Sequence, residues 1–213
     1  MNRRFALIFA LAVVVMGIVP AIGFAAEISV GVKQGDWIEY QVSYTGTPDP
    51  SHAISWARME IASIQGQEIN LEMTTRFSNG TQLNETATLN LMIGQLGDDF
   101  IIPANLNTGD TFFDKNADNI TISGTEKRTF AGATRTVVYG STHNTMFYWD
   151  KSTGVVVEGK STCAEYTLTT IATRTNMWQS QVFGLDPVVF YVLSIVVVAI
   201  LVAITILVIR RKK

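Results

Sequence analysis

From residue 38 to residue 44 apolar Ile38, Tyr40, Val42 and Tyr44 alternate with polar Glu39, Gln41 and Ser43, and the same two-residue period recurs further on. Ile69, Leu71 and Met73 alternate with Glu68, Asn70, Glu72 and Thr74; Ala87, Leu89, Leu91 and Ile93 interleave with Thr86, Thr88, Asn90 and Met92. Successive side chains of a strand point to opposite faces, so each pattern predicts a half-buried β-strand. Residues 134–139 and 166–173 are rich in Thr, Val and Tyr, types that suit a pleated surface. Turn chemistry separates the strands at Gln65 and Gly66, at Asn79 and Gly80, at 94–98 and at 150–154. Asn followed by Gly is the strongest of these signals, because the tightest hairpin turns need positive φ at both central residues. Strands joined this way predict an all-β ectodomain, an antiparallel meander of about eight to ten strands forming a curved half-barrel or a sandwich. Between residues 27 and 178 only 97–107 is open to a short helix.

The two ends have a different pattern. Residues 187–209 carry no charge, and only Ser194 and Thr205 interrupt the Val, Ile, Leu and Ala that surround the helix from 192 onward. At ~1.5 Å per residue this run is roughly 34 Å long, enough to cross a ~30 Å hydrocarbon core, and no polar face is left for water. Asp186 before Pro187 is a helix start, a capping carboxylate followed by proline at the first helical position. At the other end, Arg3 and Arg4 precede an apolar stretch at 5–19, Pro20 and the small residues Gly23 and Ala25. That predicts an N-terminal signal helix cleaved after Ala25.

The basic residues Arg210, Arg211, Lys212 and Lys213 then set the orientation by the positive-inside rule. The expected layout is a signal peptide at 1–25, an extracytoplasmic β domain at 26–178, a juxtamembrane stalk at 179–186, a transmembrane helix at 187–209 and a cytoplasmic tail at 210–213. This is a type I single-pass protein of the cell membrane, with a tail too short for a signalling domain. Trp178, Phe183, Phe190 and Tyr191 are candidates for the aromatic belt at the outer interface. Ala199 and Ala203 would let a partner membrane helix pack closely.

Charge sharpens the picture of the ectodomain. All 18 acidic residues lie in 27–186 together with 10 of the 16 Lys and Arg, a net charge of −8. Such a domain is ill suited to nucleic acid or to an anionic lipid surface, which need clustered positive charge. The single cysteine, Cys163, leaves no internal disulfide, so stability has to come from the core. A domain of about 150 residues buries roughly 68–70% of its unfolded surface and can supply one.

Three short stretches carry a resemblance: GVKQGDWIEY at 31–40, YWDKSTG at 148–154 and TNMW at 175–178. With them the chain resembles a group of uncharacterised archaeal type I surface proteins with a signal peptide, a β-rich ectodomain bearing GDWxxY and YWDxxTG motifs, and one C-terminal helix. More loosely, the meander is similar to the half-barrel of lipoprotein carriers. The first resemblance implies a surface location and no activity; the second implies a concave face able to hold a lipid.

Candidate chemistry is sparse. Asn79, Asn84 and Asn119 open Asn-x-Thr sequons, acceptors for N-glycosylation in a secreted chain. Asp114, Asn116 and Asp118 stand at positions 1, 3 and 5 of a calcium-type loop, but position 12 is Thr125 instead of a bidentate Glu, so an Asx-rich turn competes with a metal site. Pairing Trp149 with Val155 across the 150–154 turn would set Ser141 opposite Cys163 and His143 opposite Ser161, bringing Cys163 and His143 diagonally together as a nucleophile and base. A bulge would destroy that register. Trp37, Trp56, Trp149 and Trp178 suit either a β core or a sugar or lipid site. Without a recognisable catalytic motif, the sequence predicts a non-enzymatic binding or envelope protein with no cofactor. Its partners are the bilayer through 187–209 and either a hydrophobic ligand or a membrane protein, not nucleic acid. The alternatives are a half-barrel binding lipid, and an extracytoplasmic hydrolase with unrecognised carboxylates.

Overall fold

The computed structural model describes residues 28–48, 53–142 and 144–211; the proposed signal peptide, His52, His143, Lys212 and Lys213 lie outside them. Eleven strands and one helix are present among these residues: β1 (Trp37–Gly46), β2 (Ile54–Gln65), β3 (Glu68–Phe77), β4 (Gln82–Asn90), β5 (Thr111–Asp114), β6 (Asp118–Thr121), β7 (Gly124–Phe130), β8 (Ala133–Thr142), β9 (Thr145–Asp150), β10 (Val156–Thr162), β11 (Tyr166–Thr175) and α1 (Pro187–Arg211). Nine strands form one antiparallel sheet in the order β4-β3-β2-β1-β11-β10-β9-β8-β7, and β5 and β6 form a separate hairpin. Two meanders are thus joined edge to edge where the first strand pairs with the last, with Val42 opposite Thr170 and Tyr44 opposite Leu168.

The alternation seen in the sequence sorts one face of this sheet from the other. Ile38 and Tyr40 of β1, Met59 and Ile61 of β2, Ile69 and Leu71 of β3, Leu89 of β4, Val138 of β8 and Trp149 of β9 are buried in one cluster. Their neighbours Glu39, Arg58 and Glu60 form ion pairs on the opposite, convex face. The sheet curves around segment 91–122, which lies against its concave face and contributes Leu91, Leu96, Ile101, Ile102, Phe112, Ile120 and Ile122 to the same cluster. Phe112 meets Trp149 edge-on at 5.7 Å. Gly140 of β8 admits this hairpin, since a Cβ there would stand 2.9 Å from the Thr121 carbonyl. One sheet around an inserted segment is a half-barrel and not a sandwich, in which two sheets share a core.

Several sequence expectations are corrected. The strand read through Leu91 and Ile93 stops at Asn90, because the Asn90 carboxamide accepts the Met92 amide and Gly94 turns with φ +67°; Met92 and Ile93 are exposed. Segment 97–107 is a series of turns, not a helix, with positive φ at Gly97, Asp98, Asp99 and Asn105, values a right-handed helix excludes. Trp149 pairs with Val156 instead of Val155, and a bulge before Glu158 shifts the register again so that Ser161 faces Thr145. Ser141 belongs to β8 and faces Met146, so the Ser141–Cys163 and His143–Ser161 pairings are not made. Thr142 of β8 pairs with Thr145 of β9.

Trp178 is held against the β7–β8 hairpin. Its indole nitrogen donates to the Phe130 carbonyl at 3.2 Å and its ring lies 4.7 Å from the Arg135 guanidinium. Beyond it, the Ser180 hydroxyl donates to the Ala131 carbonyl, the Gln181 amide to the Gly132 carbonyl at 2.7 Å, and the Thr134 amide to the Gln181 side chain at 3.0 Å. The first part of the expected stalk is therefore fastened to the β7–β8 turn.

Candidate ligand cavity

Segment 91–122 does not fill the whole concave face. Over β1, β2, β9, β10 and β11 a cavity of about 580 Å³ remains, within the size range of small-molecule sites. Its sheet wall is mostly apolar, with Tyr40, Val42, Met59, Met73, Phe147 and Leu168 among the lining residues. The facing wall comes from Asp98, Asp99 and Phe100 and from Asp114, Asn116 and Ala117 of the β5–β6 turn.

The cavity has a closed floor and an open end. Tyr40 and Met59 are buried, and the Tyr40 hydroxyl donates to the Val156 carbonyl at 2.9 Å. Burial pushes the ionisation of that phenol far above its ordinary range, so it stays a neutral donor. Four residues along β1, Tyr44 is only half-buried; its hydroxyl accepts the Ile54 amide at 2.9 Å and its ring meets Tyr166 edge-on at 5.9 Å. Burial raises the Tyr44 pKa and the Ile54 amide lowers it, with burial prevailing. Thr142, Thr145, Ser161 and Tyr166 line the same end. Tyr40→Phe should cost about 1 kcal/mol through loss of one buried hydrogen bond, measurable as a lower midpoint in urea with an unchanged slope.

Electrostatically the lining is one-sided. Among the described residues three carboxylates line the wall, and Arg58 is the sole cationic lining residue. Its guanidinium is directed to the convex face, where it meets Glu39 at 3.2 Å, Glu60 at 2.9 Å and the Trp37 ring at 4.3 Å. The cavity therefore offers an apolar sheet wall, an acidic facing wall and a hydroxyl-bearing open end.

Of the candidate residues read from the sequence, Asp114 and Asn116 line this cavity and the other described ones lie elsewhere. Asp114 and Asp118 face each other across the β5–β6 hairpin, and Asp114 Oδ1 accepts the amides of Asn116 and Ala117 at 2.6 and 2.9 Å, an Asx turn. No group of three or more His, Cys, Asp or Glu converges on a metal position among the described residues. Asn79 is exposed at the β3–β4 turn, where its side chain accepts the Thr81 amide. Asn84 is exposed on β4, an edge strand, and accepts the Thr74 hydroxyl. Asn119 lines a separate polar depression of about 380 Å³ with Thr121, Ser123, Ser141 and Thr142. Cys163 is exposed in the β10–β11 turn, at the open end of the cavity.

The three short motifs meet at the opposite end of the sheet. Gly31 packs where a Cβ would stand 2.4 Å from the Ser152 carbonyl. The Asn176 side chain accepts the Trp37 amide at 2.8 Å and donates to the Gly35 carbonyl at 2.9 Å. Asp150 binds Arg135 through both carboxylate oxygens, and Arg135 in turn underlies Trp178. Their residues form a clamp that holds the N-terminal end of β1, the β9–β10 turn and the segment leading to α1. Their signal is structural, and of the motif residues only Tyr40 lines the cavity.

No protein-family profile and no curated protein sequence matches the chain. Among solved structures it is similar to the siderocalin Ex-FABP, which is described as functioning through dual ligand specificities: 12% identity over 75% of this chain and 80% of that chain, with a TM-score of 0.25. A TM-score that low carries no argument about fold or ligand.

Proposed function

We propose that this is a membrane-anchored, non-enzymatic binding protein whose β domain lies outside the cell and holds an apolar ligand in the concave cavity. The observation that carries the reading is the partly filled half-barrel: the inserted segment closes one side of the concave face and leaves about 580 Å³ open beside it. An open concavity of this size lined by Tyr40, Met59, Met73, Phe147 and Leu168 suits a small apolar occupant. The carboxylates of the facing wall favour a neutral or cationic polar group on that occupant and oppose an anionic one. The 21-residue apolar span Pro187–Leu207 anchors the domain, with the basic residues after it on the cytoplasmic side.

Cys163 provides a reporter beside the open end. With an environment-sensitive fluorophore on Cys163 of the full chain in lipid nanodiscs, dodecanol should give a saturable shift. Dodecylamine should bind at least as well and dodecanoate at least tenfold more weakly. No saturable response to any of the three would refute the ligand reading, and recovery of a dodecyl ester probe cleaved would move the protein to the hydrolases.

A further inference from the structure

The ends of the sheet differ in what they present. At one end lie the cavity's open rim, Tyr44, Ile54, Thr145 and Tyr166. At the other lie the start of β1, the β7–β8 turn and the C-terminal end of β11, from which the chain leaves for α1. β11 alone spans ten residues from the first end to the second, roughly 30 Å of extended chain. The exit is not a loose tether, because Trp178, Ser180 and Gln181 are hydrogen-bonded to the β7–β8 turn.

After this fastening the chain makes one tight reversal before the helix. Val182 and Leu185 exchange backbone hydrogen bonds at 2.9 and 3.1 Å, with φ of +52° at Phe183 and +77° at Gly184. A bulky residue in the left-handed region is uncommon, and here it projects its ring outward: Phe183 is 89% exposed. That ring packs on Phe190 at 5.7 Å, and Phe190 on Tyr191 at 5.7 Å, both in the first turns of the apolar helix. Exposed aromatic rings continuous with a spanning helix belong at the level of the lipid headgroups.

We infer that the 182–185 turn is a lipid contact that seats the β7–β8 end of the domain on the outer leaflet, so that the cavity opens away from the bilayer that anchors it. The occupant of the Phe183 surface is the lipid interface; continuity with α1 selects it over a protein partner. The inference rests on α1 spanning the membrane and stands apart from the identity of the ligand. Its consequence is that ligand exchange proceeds through the aqueous phase or an opposing carrier, not laterally from the protein's own membrane.

Spin labels test it in the full chain reconstituted in phosphatidylcholine vesicles. A label on native Cys163 should relax freely with an aqueous nickel chelate and show no contact with headgroup-labelled lipid. In a Cys163→Ser, Phe183→Cys chain the label should be shielded from nickel and accessible to oxygen, the signature of lipid contact. A Cys163 label at membrane depth would overturn the inference even if the second variant failed to fold, as would a Phe183→Cys label as nickel-accessible as the one on Cys163. A failed ligand titration would leave both depths unchanged, so the two readings fail separately.

Discussion

Asp150→Ala should lower the unfolding free energy by about 3–5 kcal/mol, the cost of breaking a buried ion pair by removing one partner. For a chain of this size that corresponds to a fall in Tm of roughly 10 °C. Asp150 is 0% exposed. It accepts two hydrogen bonds from Arg135 at 2.7 and 3.1 Å, one from the Ser152 hydroxyl at 2.7 Å, and the Thr153 amide and hydroxyl at 3.0 Å each. Removing it uncaps the 150–154 turn and frees the guanidinium beneath Trp178, so the damage reaches the segment that leads to the membrane. Burial alone would raise the Asp150 pKa; the Arg135 hydrogen bonds and charge, with Ser152 and Thr153, more than offset this and hold it below the ordinary value.

Because the native pKa is depressed, the unfolded chain binds the proton more readily. The stabilisation is complete above the unfolded-state pKa of about 3.9 and is lost as pH falls through the lower native value. Asp150→Asn keeps the shape and removes the charge, so it should be less stable than wild type at pH 7 and should flatten the acid limb of the stability curve. Urea titrations followed by near-ultraviolet circular dichroism from pH 7 to pH 3 measure both. A loss under about 1 kcal/mol, typical of an exposed ion pair, would show that the clamp does not hold the fold.

The second large effect concerns binding. Gly159→Leu should weaken dodecanol binding at least tenfold while leaving the domain as stable as wild type or more so. Gly159 lines the cavity, and a Cβ there meets only the Phe147 ring, at 3.6 Å, an ordinary contact. No positive φ is required at this position, so leucine meets no backbone penalty, and replacing a strand glycine relieves an entropic cost of roughly 0.5–1 kcal/mol. The added side chain extends into the space the ligand would fill. Gly154 is the contrasting case: its φ is +73° and a Cβ would stand 2.1 Å from the Ile102 carbonyl, so a substitution there should damage the fold.

Strand positions and most turns were legible because they are local. The alternation at Ile38 to Tyr44 and the turn at Asn79 and Gly80 needed only the two-residue period and the φ preferences of Asn and Gly. The β1–β11 pairing was not legible, since strands whose paired residues are 120 or more positions apart share no turn that announces them. Segment 91–122 escaped for another reason: Leu96, Ile101 and Ile102 are buried from successive turns, and burial by turns has no period. The bulge before Glu158, which sets Ser161 opposite Thr145, has no composition signal, and His143 lies outside the described residues. Trp178 is close to the apolar run in sequence, but its partners Arg135 and the Phe130 carbonyl are more than 40 residues away and carry no local signal. The cavity itself is what the inserted segment leaves unfilled, and no single residue encodes it.

The lipid-carrier likeness and the hydrolase alternative both turn on the interior. The concave face is partly open, as the first requires. Asp98, Asp99 and Asp114 also line it, as the second would require, but Asp114 Oδ1 is bonded to two amides of its own turn and Asp99 accepts the Thr142 hydroxyl at 3.4 Å.

Photoaffinity labelling of the full chain in nanodiscs with a diazirine-bearing dodecanol, read by peptide mass spectrometry, tests the central claim most directly. An occupied cavity predicts label on peptides carrying Tyr40, Met59, Phe147 and Leu168, competed by unlabelled dodecanol and absent in Gly159→Leu. Label confined to residues 187–209, unchanged by competitor or by that substitution, would contradict it.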